Sequence, residues 1–156
     1  MAREIERKFV LDERPDRLEE HEGEAIEQGY LAIVEDVREV RLRRRGGDRL
    51  LTVKLGSGEE REEVEVELTP QQFDELWPLT EGLRLEKTRY RIPHDGLTIE
   101  VDVYGKAFDG MVVAEIEFES HEASQAFDAP SWLGREVTGD TGYANESLAL
   151  HGAPGR

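Results

Sequence analysis

The sequence predicts an α+β chain built mainly from antiparallel sheet. Three observations carry this. Apolar and charged residues alternate with period 2 over about eight segments, the signature of half-buried strands. Short glycine-containing connections separate several of them, which is hairpin chemistry and leaves no room for the crossovers of a parallel sheet. A few short segments carry helix signals instead, the clearest being Thr69-Pro70 before an apolar stripe.

Taken in order, residues 3–10 form the first strand, and a weak helical turn falls near 15–22. Residues 25–34 form the second strand. Val40 and Leu42 interleave with Glu39, Arg41 and Arg43 in the third, and Gly46-Gly47 closes a hairpin to the fourth. There Leu51, Val53 and Leu55 interleave with Thr52 and Lys54. Gly56-Ser57-Gly58 leads to the fifth, where Val64, Val66 and Leu68 interleave with Glu63, Glu65 and Glu67. Thr69 then caps a helix with Pro70 at its first position and Phe73, Leu76 and Trp77 on one face. Residues 84–93 form the sixth strand, and Asp95-Gly96 turns it into a seventh with Ile99, Val101 and Val103 against Glu100 and Asp102. Ala114, Ile116 and Phe118 against Glu115 and Glu117 make the eighth. Helices are expected over 121–127 and 143–150. At 156 residues this reads as one domain over 1–150, with a tail at 151–156.

Composition excludes several functions. With no cysteine there is no disulfide framework, thiol nucleophile or Cys-based zinc site. The formal net charge of −16 argues against nucleic-acid binding, which needs a basic surface. No apolar run approaches a membrane span, and the charged start is no signal peptide, so a soluble cytoplasmic protein is expected, with no membrane partner. The four histidines (His21, His94, His121 and His151) are scattered, and Gly105-Lys106 lacks the rest of a phosphate-binding loop. Trp77 and Trp132 read as packing residues.

The informative feature is how strongly charged the polar faces are. In Glu4-Ile5-Glu6-Arg7-Lys8, a strand puts Glu4, Glu6 and Lys8 on one face, about 6.5–7 Å apart. Glu63 with Glu65, Glu115 with Glu117, and Glu100 with Asp102 repeat the acidic spacing, each opposite an apolar row. Oxygen-only donors without Cys or clustered His suit a hard cation, Mg²⁺ or Mn²⁺, and their number would serve one or two ions. Lys8, Arg41, Arg43, Lys54, Lys87 and Arg89 fall in register with the same faces and suit phosphate oxygens. Two architectures remain open. One is an open sheet whose charged face is salt-bridged in solvent, which alternation alone favours; the other is a barrel with its charges inside.

The chain resembles the CYTH-domain proteins of the triphosphate tunnel metalloenzyme superfamily. The residues that carry the likeness are the ExExK signature of Glu4, Glu6 and Lys8, then Gln28-Gly29-Tyr30-Leu31, Val40-Arg41-Leu42-Arg43, Thr52-Val53-Lys54, and Arg61 with Glu63 and Glu65. The series continues through Glu86-Lys87-Thr88-Arg89-Tyr90, Glu100-Val101-Asp102-Val103 and Ala114-Glu115-Ile116-Glu117, and ends at Glu136-Val137-Thr138, Asp140, Tyr143 and Asn145. The resemblance implies an eight-stranded antiparallel β-barrel, a tunnel with a charged interior and helices packed outside. It implies Mg²⁺- or Mn²⁺-dependent hydrolysis of a small-molecule triphosphate. Glu4, Glu6, Glu115 and Glu117 would bind one ion, and Glu63, Glu65 and Asp102 a second. Lys8, Arg41, Arg43, Lys54, Lys87 and Arg89 would hold the phosphates. Lys54 or Lys87, crowded by arginines, would act as general base with Tyr30 as partner. Inorganic triphosphate is the expected substrate, because the short chain shows no base-reading cluster. Thiamine-triphosphatase, class IV adenylate cyclase, RNA or nucleoside triphosphatase and a non-catalytic triphosphate or polyphosphate sensor are the alternatives. A homodimer is the assembly considered.

Overall fold

The computed structural model describes residues 5–35, 37–56, 62–152 and 154. Nine strands make up an antiparallel sheet: β1 (Ile5–Leu11), β2 (Gly23–Val34), β3 (Arg38–Arg45), β4 (Asp48–Leu55), β5 (Glu62–Glu67), β6 (Arg84–His94), β7 (Leu97–Tyr104), β8 (Val112–Phe118) and β9 (Arg135–Glu136). Three helices accompany it: α1 (Pro70–Leu76), α2 (His121–Ala126) and α3 (Asn145–His151). The eight strands expected from alternation are all present. β9 was not foreseen, since two residues are too few to show a period. The turn expected near 15–22 is a single 3₁₀ turn at Leu18–Glu20. Residues 57–61, which hold most of one expected hairpin turn, and Glu4 lie outside the described residues. Among the described residues no helix is long and apolar enough to cross a membrane.

Closure is where the structure departs from a barrel. Among the described residues β5 pairs only with β4, and β9 only with β1, so the sheet keeps two edges. The reason is local. β9 offers two register pairs, Phe9 with Glu136 and Val10 with Arg135. All six residues of β5 are exposed, its apolar row of Val64 and Val66 included.

The chain divides into two compact units. The first comprises the described residues of 25–86 and 141–156, with strand order β5-β4-β3-β2. One face of it packs on α1, which opens with a capping box: the Thr69 hydroxyl accepts from the Gln72 amide, and the Gln72 side chain accepts from the Thr69 amide. Phe73 is buried and stacks on Trp77, with ring centroids 5.3 Å apart. The Arg44 guanidinium lies 4.8 Å over Phe73 and that of Arg84 lies 4.6 Å over Trp77.

The second unit comprises residues 4–24 and 87–140, with order β6-β7-β8-β1-β9. The β6–β7 turn puts Asp95 and Gly96 at φ 48° and 79°, both left-handed, the Asp-Gly geometry that two-residue hairpins favour. Its core is one face of the sheet: Phe9 and Leu11 from β1, Ile99, Val101 and Val103 from β7, and Val112, Ala114, Ile116 and Phe118 from β8. Ala123, Phe127, Trp132 and Leu133 cover it. A fully buried residue of this kind contributes about 1.5–3 kcal/mol. The opposite face, carrying the alternate residues of the same strands, is charged.

Gly29 tests the packing of the first unit. A Cβ there would lie 2.5 Å from the Thr80 hydroxyl and 3.0 Å from the Trp77 ring. Thr80 cannot give way easily, because it is fully buried, donates to the Trp77 carbonyl at 2.7 Å and accepts from Arg84 at 2.9 Å. Gly29→Ala is expected to cost about 1–3 kcal/mol in urea denaturation. An unchanged midpoint would mean that the Thr80 turn is not tightly packed.

Candidate active site

In the second unit, register alone assembles the charged face. Lys87, Arg89 and Arg91 of β6 stand opposite Tyr104, Asp102 and Glu100 of β7. Glu100 stands opposite Glu115 of β8, which stands opposite Lys8 of β1, while Glu117 faces Glu6. These residues share the parity that Val101, Ala114 and Phe9 lack, so burying the apolar rows puts every one of them on the other face.

Asp102 is the centre of this face. It is 2% exposed, yet it is a carboxylate. Arg89 grips it in a fork, Nε to Oδ1 at 2.8 Å and Nη2 to Oδ2 at 3.0 Å. Lys87 Nζ lies 2.8 Å from Oδ2, with no part of its side chain exposed, and 5.6 Å from the centre of the Tyr104 ring. Burial pushes the Asp102 carboxyl up, but the attraction of Lys87 and the bonds from Arg89 outweigh it, and the group is held well below the usual carboxylate range. Burial likewise pushes the Lys87 ammonium down; Asp102 pulls it back in part, and Arg89 adds to the lowering. Arg89 also reaches Glu100 at 3.4 Å, and Lys8 Nζ reaches Glu115 at 3.3 Å. Glu115 is held below its ordinary value: burial raises it, and Lys8 and Lys87 more than compensate.

The first unit presents a comparable face. Tyr30 and Gln28 of β2 oppose Arg41 and Arg43 of β3. Arg41 opposes Thr52 of β4, and Glu39 opposes Lys54. Thr52 and Lys54 in turn oppose Glu65 and Glu63 of β5. Arg43 Nε donates to Gln28 Oε1 at 2.8 Å, and Gln28 Nε2 donates to the Tyr30 hydroxyl at 2.6 Å. Burial pushes the Tyr30 hydroxyl well above its ordinary value, with Glu39 adding to the rise, so Tyr30 keeps its proton. Thr52 donates to Glu65 at 3.3 Å, and Lys54 sits 3.9 Å from Glu63, a looser pair than those around Asp102. Arg41 is 6% exposed, and its Nε has no acceptor.

Every described residue that the sequence singled out thus lies on one of these two charged faces. Among the described residues no group of three acids stands close enough to hold a metal ion. Two features still suit a hard cation. Register brings carboxylates together, Glu6 opposite Glu117 and Glu100 opposite Glu115, the latter two also meeting Arg89 and Lys8. All are oxygen donors. Asp102, which the resemblance assigns to a second ion, has both its oxygens paired here, with Arg89 and Lys87. The sequence gives Gln28, Glu39 and Thr52 no site role, and Glu100 only a place in an acidic pair with Asp102. Gln28, Glu39 and Thr52 are buried and Glu100 meets Arg89, and their signal was parity with their charged neighbours.

This chain belongs to the CYTH domain family, whose model matches residues 2–152. An inorganic triphosphatase of Nitrosomonas europaea is 44% identical over 149 residues, 94% of this chain and 97% of that one. An inorganic triphosphatase of Acetivibrio thermocellus is 37% identical over 151 residues, 95% of this chain and 94% of that one. A crystal structure of an inorganic triphosphatase matches with a TM-score of 0.78 and 42% identity, covering 96% of each chain.

The buried acid makes a pH prediction. Asp102 and Glu115 titrate lower in the folded chain than their ordinary values of 3.8 and 4.5. Their contribution to stability is complete above those values and is lost as pH falls through the lowered ones. Urea titrations over a pH series should therefore show stability declining below about pH 4.5. Asp102→Asn should cost about 3–5 kcal/mol at pH 7, because it leaves Lys87 and Arg89 without their counter-charge, and should flatten the acid decline. Equal stability of variant and wild type at pH 7 would contradict the arrangement.

Proposed function

We propose that this chain hydrolyses inorganic triphosphate to diphosphate and phosphate with Mg²⁺ or Mn²⁺. The observation that carries the reading is Arg41. A guanidinium 6% exposed, with an Nε that meets no acceptor, is costly unless a ligand oxygen completes it. Arg43 and Lys54 share its face, so the ligand this face favours is a polyanion. The names of the relatives supply the substrate.

Glu6, Glu115 and Glu117, with Glu4, would hold one ion, and Glu63 with Glu65 are the donors for a second. Such an ion, when bound, supplies Lewis acidity toward a phosphoryl oxygen and toward the attacking water. The rest is the work of this chain's own side chains. Arg41, Arg43, Arg89 and Lys8 neutralise and orient the phosphates. Asp102 fixes the Arg89 fork and the Lys87 charge.

For the proton acceptor, accessibility favours Lys54. Its side chain is 17% exposed, whereas Lys87 is wholly enclosed and committed to Asp102. Tyr30, kept neutral by burial and oriented by Gln28, acts as a hydrogen-bond donor rather than as a base.

Phosphate release from inorganic triphosphate, thiamine triphosphate, ATP and diphosphate tests the reading. Wild type should favour inorganic triphosphate and lose turnover with EDTA. Lys54→Met should lower kcat about 10²–10⁴-fold. Glu6→Gln and Glu117→Gln should raise the Mg²⁺ concentration needed for half-activity. Faster turnover of an organic triphosphate, or full activity in EDTA, would overturn it.

A further inference from the structure

The outer side of β1 carries a second set of contacts that the proposed chemistry does not use. Arg7 lies between Glu6 and Lys8 and points to the opposite face. Its Nε and Nη2 fork onto the Glu136 carboxylate at 3.0 and 2.7 Å. Its Nη1 donates to the backbone carbonyls of Ser124 and Phe127, at the end of α2, at 3.0 and 3.2 Å. The guanidinium sits 5.5 Å from the centre of the Phe9 ring and 5.6 Å from that of Phe127. Glu136 is engaged a second time, accepting from the Thr138 hydroxyl at 2.6 Å. That hydroxyl accepts in turn from the Lys8 backbone amide at 3.0 Å, and the Val137 amide donates to the Lys8 carbonyl at 2.8 Å.

Both backbone groups of Lys8 are therefore held by residues 137 and 138, and the strand around it is tied by Arg7 to α2 and β9. The apolar core alone fixes which face Glu6 and Lys8 occupy. The ladder to β8 fixes the register of β1, but neither holds its outer edge, where β9 is only two residues long. Hydrogen bonds on both sides of the Lys8 peptide do.

We propose that Arg7, Glu136 and Thr138 form a clamp that positions Glu6 and Lys8 for triphosphate. They are positioning residues, acting through the backbone of β1 without touching substrate. The proposal rests on the reading that Glu6 and Lys8 serve the bound triphosphate. It gives a role to Glu136-Val137-Thr138, a segment noted in the sequence and left without a function. It also explains why Arg7, inside the ExExK signature, is an arginine. One guanidinium spans a carboxylate and two carbonyls, which a lysine ammonium cannot do with the same geometry.

Thr138→Val tests this, because it removes the hydroxyl and keeps the shape. The expected result is a rise of about five-fold in KM for triphosphate with kcat little changed, and faster amide hydrogen exchange over residues 6–10. Thr138→Ser should restore both, and Arg7→Lys should reproduce the KM defect. Unchanged KM in a Thr138→Val chain that still turns over triphosphate would overturn the clamp alone. So would a lowered thermal midpoint with unaltered KM, the mark of a purely structural bond. A wild-type chain that neither binds nor hydrolyses triphosphate would overturn the reading of Glu6 and Lys8, and the clamp's purpose with it.

Discussion

Asp102 is the residue around which the second unit's charged face is ordered. A carboxylate 2% exposed can remain ionised only where opposite charge is fixed beside it, and Lys87 and Arg89 are fixed there by strand register rather than by chance. The dependence runs both ways. Lys87 has no exposed side-chain surface, and without Asp102 it would be a bare buried charge. The apolar rows behind create the enclosure: Val101 and Val103 flank Asp102 in sequence and face the core. One strand thus carries both the residues that hold the sheet together and the acid that organises its chemistry.

The same economy explains the charge balance. A chain of net charge −16 is an unpromising anion binder unless its cations are gathered on particular faces and partly withdrawn from solvent. The sheet does this by parity. Arg41, Arg43 and Lys54 fall on one face of the first unit, and Lys8, Lys87 and Arg89 on one face of the second. Several of these cations are matched to an acid on a neighbouring strand. Arg41 keeps a buried Nε that meets no acceptor, a donor left for a ligand on the first unit's face.

Much of this was legible in the sequence. Period-2 alternation gave all eight longer strands, because burying one face fixes the period. Thr69-Pro70 gave the start of α1, since capping chemistry is local. The site residues followed from parity once the strands were placed. What escaped was whatever depends on length or on partners. β9 is two residues long and has no period to read. Closure of a sheet depends on whether edge strands meet, which alternation does not encode; β5 alternates well and still ends the sheet. For Asp102 the sequence shows an acid and not the two cations that hold it. Gln28 and Thr52 look neutral in sequence, and only their register beside Arg43 and Glu65 makes them part of the face.

The central claim is that the charged faces are built for a phosphate chain and are not solvated decoration. The most direct test is the thermal midpoint of the purified protein, with Mg²⁺ present, as inorganic triphosphate is titrated. A ligand that binds only the folded chain must raise the midpoint with concentration, by about 2.7 kcal/mol of added stability at a hundred times Kd. The account predicts a saturable rise with triphosphate, a smaller one with orthophosphate, and its loss in Arg41→Ala. No rise with triphosphate, or one that Arg41→Ala leaves intact, would contradict it.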